Sequence, residues 1–132
     1  MESRFRADLI AWLRADATLV AALNAVEEES PVAASPPWLG IAASASADWS
    51  TKTHTGREVR IALELVERQD DPEAVAATVA AIERRVATLA PVQSGSRVVV
   101  TQFLRSRADR RPRSLSALLL EYSFRLLANP EE

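Results

Sequence analysis

The sequence predicts a two-layer α+β domain in which two helices cover one face of a four-stranded antiparallel sheet, in the order helix, strand, strand, helix, strand, strand. Three observations carry this expectation. Val59, Ile61, Leu63 and Leu65 alternate with Glu58, Arg60, Ala62 and Glu64, the period of a strand with one buried face. Val75, Val79, Ile82, Val86 and Leu89 recur at steps of four and three, which places them on one stripe of a helix. The β-branched run Val98-Val99-Val100-Thr101 marks a further strand.

The first helix spans Ser3 to about Asn24, with Phe5, Leu9, Trp12 and Leu13 at helical spacing and Leu19, Val20 and Leu23 after a break at Asp16. Ser3 can cap its start and Asp16 the start of a second piece, by accepting freed backbone N–H groups. Glu27-Glu28-Glu29-Ser30-Pro31 ends the pattern, and a surface loop is expected as far as Pro37. Trp38 to Ala43 reads as extended, because Pro36 and Pro37 exclude a normal helix upstream and Gly40 weakens one within. The polar connector Asp48 to Gly56 then makes a long hairpin with a projecting loop.

Asp70-Asp71-Pro72-Glu73 is a helix start with an aspartate cap, a proline at the first position and an acid at the positive end of the dipole. The alanines Ala76, Ala77, Ala80 and Ala81 are expected to let that helix lie close against the sheet, and Pro91 stops it. Gly95 turns the chain into the strand Ser96 to Leu104, and Arg105 to Arg113 reads as a charged turn. In the last segment Leu115, Leu118, Leu119, Tyr122 and Leu126 fit a helix, whereas Leu118, Leu120, Tyr122, Phe124 and Leu126 fit a strand. Propensity leans to helix; the strand is preferred because Val98 to Leu104 needs an antiparallel neighbour and this segment is the nearest.

At 132 residues the whole chain, 1–132, is expected to be one domain that buries a core without disulfides, since there are no cysteines. One histidine, His54, leaves no basis for a histidine-rich metal site, and a net charge of -2 argues against general nucleic-acid binding. No apolar run approaches the roughly 20 residues of a membrane-spanning helix, so a soluble protein with no membrane partner is expected. Isolated Gly40, Gly56 and Gly95 open no helix, which excludes a phosphate loop. His54 has no orienting partner in sequence, and Glu58 and Glu64 are placed on a solvent face, so no catalytic set emerges and no cofactor is called for. The residues that read as contact surface are Trp49, Lys52, His54 and Arg57 around the polar loop, Asp70 and Asp71 at the helix start, and Arg107, Arg110, Arg111 and Arg113 in the basic segment. Arginine forks favour carboxylates, so that segment suits an acidic protein surface, and a solvated turn is the competing reading.

The stretch Ala47-Asp48-Trp49-Ser50-Thr51-Lys52, followed by Gly56-Arg57-Glu58-Val59-Arg60, together with Leu13-Arg14-Ala15-Asp16-Ala17 and the order of elements, resembles the tail-completion or tail-terminator proteins of tailed phages and alphaproteobacterial gene transfer agents. The sequence departs from that pattern between Asn24 and Pro37, where it carries Glu27-Glu28-Glu29 and then Trp38. The resemblance implies a non-enzymatic structural protein of the particle. It would form a hexameric ring that closes on the tail tube, stops its growth and joins it to the neck, with DNA passing through without sequence-specific binding. Its partners would be its own copies, the major tail-tube protein and a neck or head-completion protein. A head–tail adaptor or stopper of the neck is the alternative, and a small ligand-binding or enzymatic domain a third.

Overall fold

The computed structural model describes residues 1–29, 34–68 and 71–129. It corrects the expected sheet: the sheet is five-stranded and mixed, ordered β1-β2-β3-β5-β4, and three helices accompany it. The elements run α1 (Glu2–Arg14), α2 (Ala17–Ala21), β1 (Ala25–Val26), β2 (Trp38–Asp48), β3 (Gly56–Arg68), α3 (Pro72–Ala87), β4 (Ser96–Arg111) and β5 (Leu115–Ala128). The extra strand is β1, which pairs parallel with β2 through Ala25 opposite Trp38 and Val26 opposite Leu39. Two residues show no periodicity, so only the tertiary pairing reveals them. The extra helix is α2, where the Asp16 side chain accepts from the Leu19 N–H at 3.1 Å and ends the continuity with α1. Ser3 is not the cap of α1; that helix starts at Glu2, with Met1 at the cap position and no side-chain bond.

The β2–β3 hairpin is longer than the sequence implied, because β2 continues through its run of alanines and serines to Asp48. β5 is a strand along its whole length, paired on one side with β3 from Gly56 opposite Leu127 to Arg68 opposite Leu115, and on the other with β4. This explains its leucines. A strand between two neighbours, with helices over one face, buries residues of both parities: Leu120, Phe124 and Leu126 are fully buried, and Leu119 and Leu127 nearly so. The charged turn expected from Arg105 to Arg113 is likewise corrected. β4 runs on to Arg111, and only Pro112 to Ser114 turn the chain. Its second half lacks an apolar alternation because it is an edge strand whose side chains from Gln102 to Arg110 are exposed.

The core lies between the helices and the sheet face that carries Val59, Ile61, Leu63, Leu65, Leu120, Tyr122, Phe124 and Leu126. Phe5 of α1 meets Phe124 with ring centroids 4.8 Å apart. α1 and α3 are clamped reciprocally: the Trp12 indole N–H donates to the Arg85 carbonyl at 2.8 Å, the Arg85 Nε donates to the Trp12 carbonyl at 2.8 Å, and the Arg85 guanidinium lies 3.7 Å from the indole centroid. α3 starts as the sequence predicts, with Asp71 accepting from the Ala74 N–H at 3.1 Å and Pro72 following. Most of the expected stripe faces the core, since Leu89 is buried with Ile82 and Val86 and Val79 packs against that cluster, but the buried face also takes in Thr78 and Ala81. Thr78, Ala81, Ile82 and Val86 are buried, Val75 and Val79 are half-buried, and Ala76, Ala77 and Ala80 face outward. The outward alanines therefore do not hold this helix to the sheet.

Candidate assembly surface

The loop between β2 and β3 is organised by its own side chains. Ser50 Oγ donates to Asp48 Oδ1 at 2.6 Å and accepts from the Gly56 N–H at 3.0 Å, while Thr51 Oγ1 accepts from the backbone N–H groups of Thr53 and His54 at 3.3 and 3.0 Å. Gly56 is required by close approach. A Cβ there would lie 2.6 Å from the Trp49 carbonyl oxygen and 2.9 Å from that of Leu126, both backbone atoms. Trp49 is half-buried, with the Arg125 guanidinium 5.4 Å from its ring centroid, and Arg125 in turn donates to Glu58 at 3.2 Å. Trp49 thus anchors the loop to the sheet. His54 is also half-buried, one ring nitrogen 2.9 Å from Thr53 Oγ1, and Lys52 and Arg57 are exposed.

At the opposite end of the sheet lie the β4–β5 turn and the start of α3, because Arg68 ends β3 opposite Leu115 and Leu115 pairs with Arg111. Arg113 and Ser114 occupy this turn with φ of 65° and 60°, the left-handed region that disfavours side chains. Arg107 and Arg110 are exposed on β4. Asp71 caps α3; Asp70 lies outside the described residues. The sequence-predicted contact residues therefore fall into two groups at two ends of the molecule, and the fold does not bring them into one site.

Arg111 differs from its neighbours. Its Nη2 donates to Glu64 Oε2 at 2.7 Å, and Glu64, expected on a solvent face, is only 6% exposed. The bond to Glu64 raises the Arg111 pKa above its ordinary value. Arg111→Ala strands a buried carboxylate and is expected to cost about 1–3 kcal/mol, toward the lower end because the 37% exposed arginine is partly screened by water. A urea midpoint equal to that of the parent chain would show that the pair contributes nothing.

Other carboxylates on this sheet are held by arginines or hydroxyls. Arg125, then Arg60, holds the Glu58 carboxyl below the usual range. Glu2 is lowered chiefly by the hydroxyls of Ser46 and Ser44, with Arg6 adding to the effect, which ties α1 to the outer part of β2. Tyr122 is pushed up to about 12 by burial and by the charge of Glu83. Among the described residues no group of three His, Cys, Asp or Glu is placed to hold a metal ion. Among those residues no helix is long and apolar enough to cross a membrane.

Two surface features escaped the sequence reading. The first is an open apolar groove of ≈ 570 Å³ between α3 and β5, lined by Val75, Val79 and Leu118 and edged by Glu83. Val75 and Val79 belong to the predicted stripe, but helix rotation, which periodicity does not set, turns them to the groove. The second is the pair of strand edges that have no neighbouring strand among the described residues: the outer side of β4 beyond Val98, past the bridge from Val92 to Arg97, and β2 beyond Ile41, whose N–H donates to the Glu28 carbonyl at 3.3 Å. Among the described residues no strand lies beside Ala42 to Asp48 on that side. The arrangement is one of surfaces.

The fold is similar to that of a chain in the solved virion of a native gene transfer agent (GTA) particle, with a TM-score of 0.80, 23% identity, and 96% of each chain covered. No curated protein sequence matches the chain. The family model described as tail completion protein gp17 matches residues 7–127, which bears out the resemblance seen in the motifs around Trp49 and Gly56. Nearly the whole folded chain, from the middle of α1 to within one residue of the end of β5, is within that match, and the chain belongs to the tail completion protein family.

Proposed function

We propose that this protein is a structural component of a phage-like tail, forming a hexameric ring that closes the end of the tail tube, stops its growth and meets the neck. Membership of the tail completion family supports the class of function. The observation that carries the ring is the sheet itself: the two edges left open among the described residues, β2 beyond its pairing with β1 and β4 beyond Val98, lie on opposite sides of one layer. Two different edges on opposite sides make a heterologous contact, which repeats from copy to copy and closes when the rotation between copies allows it. The contact residues then include Arg107 and Arg110 on β4, with Arg113 at its end. Trp49, Lys52, His54 and Arg57 form a separate loop surface that faces the tube or the neck. Asp71, at the cap of α3, adds negative charge at the end of the molecule that holds the β4–β5 turn. The ring encloses the path of the DNA without reading its sequence, and the work is done by packing and charge, not by catalysis.

Deleting the gene and imaging the particles tests this reading. Tails of uncontrolled length are the expected result, restored to uniform length when the chain is supplied. Tails of normal length that fail to join heads would replace the terminator with a neck adaptor or stopper, and intact, normal particles would remove both.

A further inference from the structure

We infer that the two open edges of the sheet carry opposite charge so that copies join only head to tail, the arginine edge of β4 seating against the β2 edge and Glu27–Glu29 flank of a second copy. This rests on the ring reading above and names the partners within its junction. β4 carries Arg97, Arg105, Arg107, Arg110 and Arg111 against one acid, Asp109. Arg105 and Arg111 are held within the molecule, by Glu121 and Glu64 at 2.7 Å each. Arg107 and Arg110, on the open part of the edge, are exposed and have no ion-pair partner among the described residues, whereas Arg97 lies where Val92 already bridges β4.

The other edge has the opposite character. Glu27, Glu28 and Glu29 follow β1, are all exposed, and among the described residues make one ion pair, Glu28 lying 3.6 Å from Arg6. The two arginines on this side are already engaged: Arg6 donates to Glu2 and Ser44 at 3.1 and 3.0 Å, and Arg14 donates to the Val26 carbonyl at 2.6 Å. A cleft of ≈ 450 Å³ opens here, lined by Arg6, Glu28, Glu29 and the Ile41 to Ser44 segment of β2. From Ala42 to Ala47 that strand has only alanine and serine side chains of its own, with Arg6 and Glu2 of α1 bonded to Ser44.

An unpaired strand edge is a template for any other edge, and charge is the usual device that decides which pairings are refused. Two β4 edges would set arginines against arginines, and two β2 flanks would set glutamates against glutamates. Only β4 against β2 brings opposite signs together, which steers encounter and suppresses the closed two-fold dimer. The charge partition therefore does for assembly what hydrogen bonds alone cannot, because backbone groups are the same on both edges.

The test uses the full chain in two charge-reversed forms, Arg107→Glu with Arg110→Glu, and Glu27→Lys with Glu29→Lys. All four positions are exposed, so unchanged circular dichroism and melting are expected of both. Assembly is read by light scattering at low salt and by the ability of each form to restore tail length in particles lacking the chain. Each variant alone is expected to lose assembly by about tenfold or more. An equimolar mixture should regain it, since every junction of an alternating ring is then again of opposite sign. Rings from the parent chain together with undiminished variants, or with a mixture no better than its parts, would overturn this inference and leave the ring standing. So would rescue of the β4 variant by Asp71→Arg with Glu73→Arg in place of the glutamate flank. A parent chain that is monomeric both in solution and in particles would overturn the ring and the inference with it.

Discussion

Phe124→Ala is expected to remove about 3–5 kcal/mol of stability, a large share of what a domain of this size possesses. Phe124 is fully buried on β5, paired with Val59 of β3 and Thr101 of β4. Its ring is 4.8 Å from that of Phe5 and 5.9 Å from that of Tyr122, so truncation opens a cavity where α1 meets the centre of the sheet. Urea denaturation provides the measurement, with Phe103→Ala as the comparison. Phe103 touches Tyr122 but is 46% exposed on the edge strand, and its loss is expected to shift the midpoint far less. Equal shifts for the two variants would mean that β5 is not the centre of the core.

Ile82→Ala is the second large effect, about 2–5 kcal/mol. Ile82 is fully buried under α3, one turn from Val79, which is half-buried beside the apolar groove. Val79→Ala removes fewer atoms from a site with an open side and is expected to cost distinctly less. The ratio of the two midpoint shifts reports how α3 is rotated on the sheet. If Val79 proved the costlier position, the groove would be closed and the helix would present the stripe that periodicity alone selects.

Several elements were legible because local rules act within one element. The alternation from Val59 to Leu65 identifies β3 whatever it pairs with, and Asp71-Pro72 starts α3 through its own cap and fixed φ. Asp16 breaks the opening helix for the same reason. The last segment was ambiguous in isolation: its leucines satisfy both periods, and the choice of strand came from the need of β4 for a neighbour. The proposed contact residues stand out in the sequence as residue types but not as places. Arg107, Arg110 and Arg111 look alike in sequence, yet only Arg111 is spent on a buried carboxylate: its side chain reaches Glu64 of β3 at 2.7 Å, although the register sets Arg107, not Arg111, level with Glu64 across Leu119 of β5.

By itself the sequence determined the starts of α2 and α3, the main strands and the family, since each of these depends on neighbours a few residues away or on short motifs. Only the tertiary structure decided the fifth strand, the extension of β4 through its arginines, the rotation of α3 and the two open edges. Those depend on which segments meet, and pairing between segments far apart in the chain leaves no mark on the periodicity of either one. β1 is the clearest instance: Ala25 and Val26 become a strand because Trp38 and Leu39 lie beside them, and for no reason within those two residues.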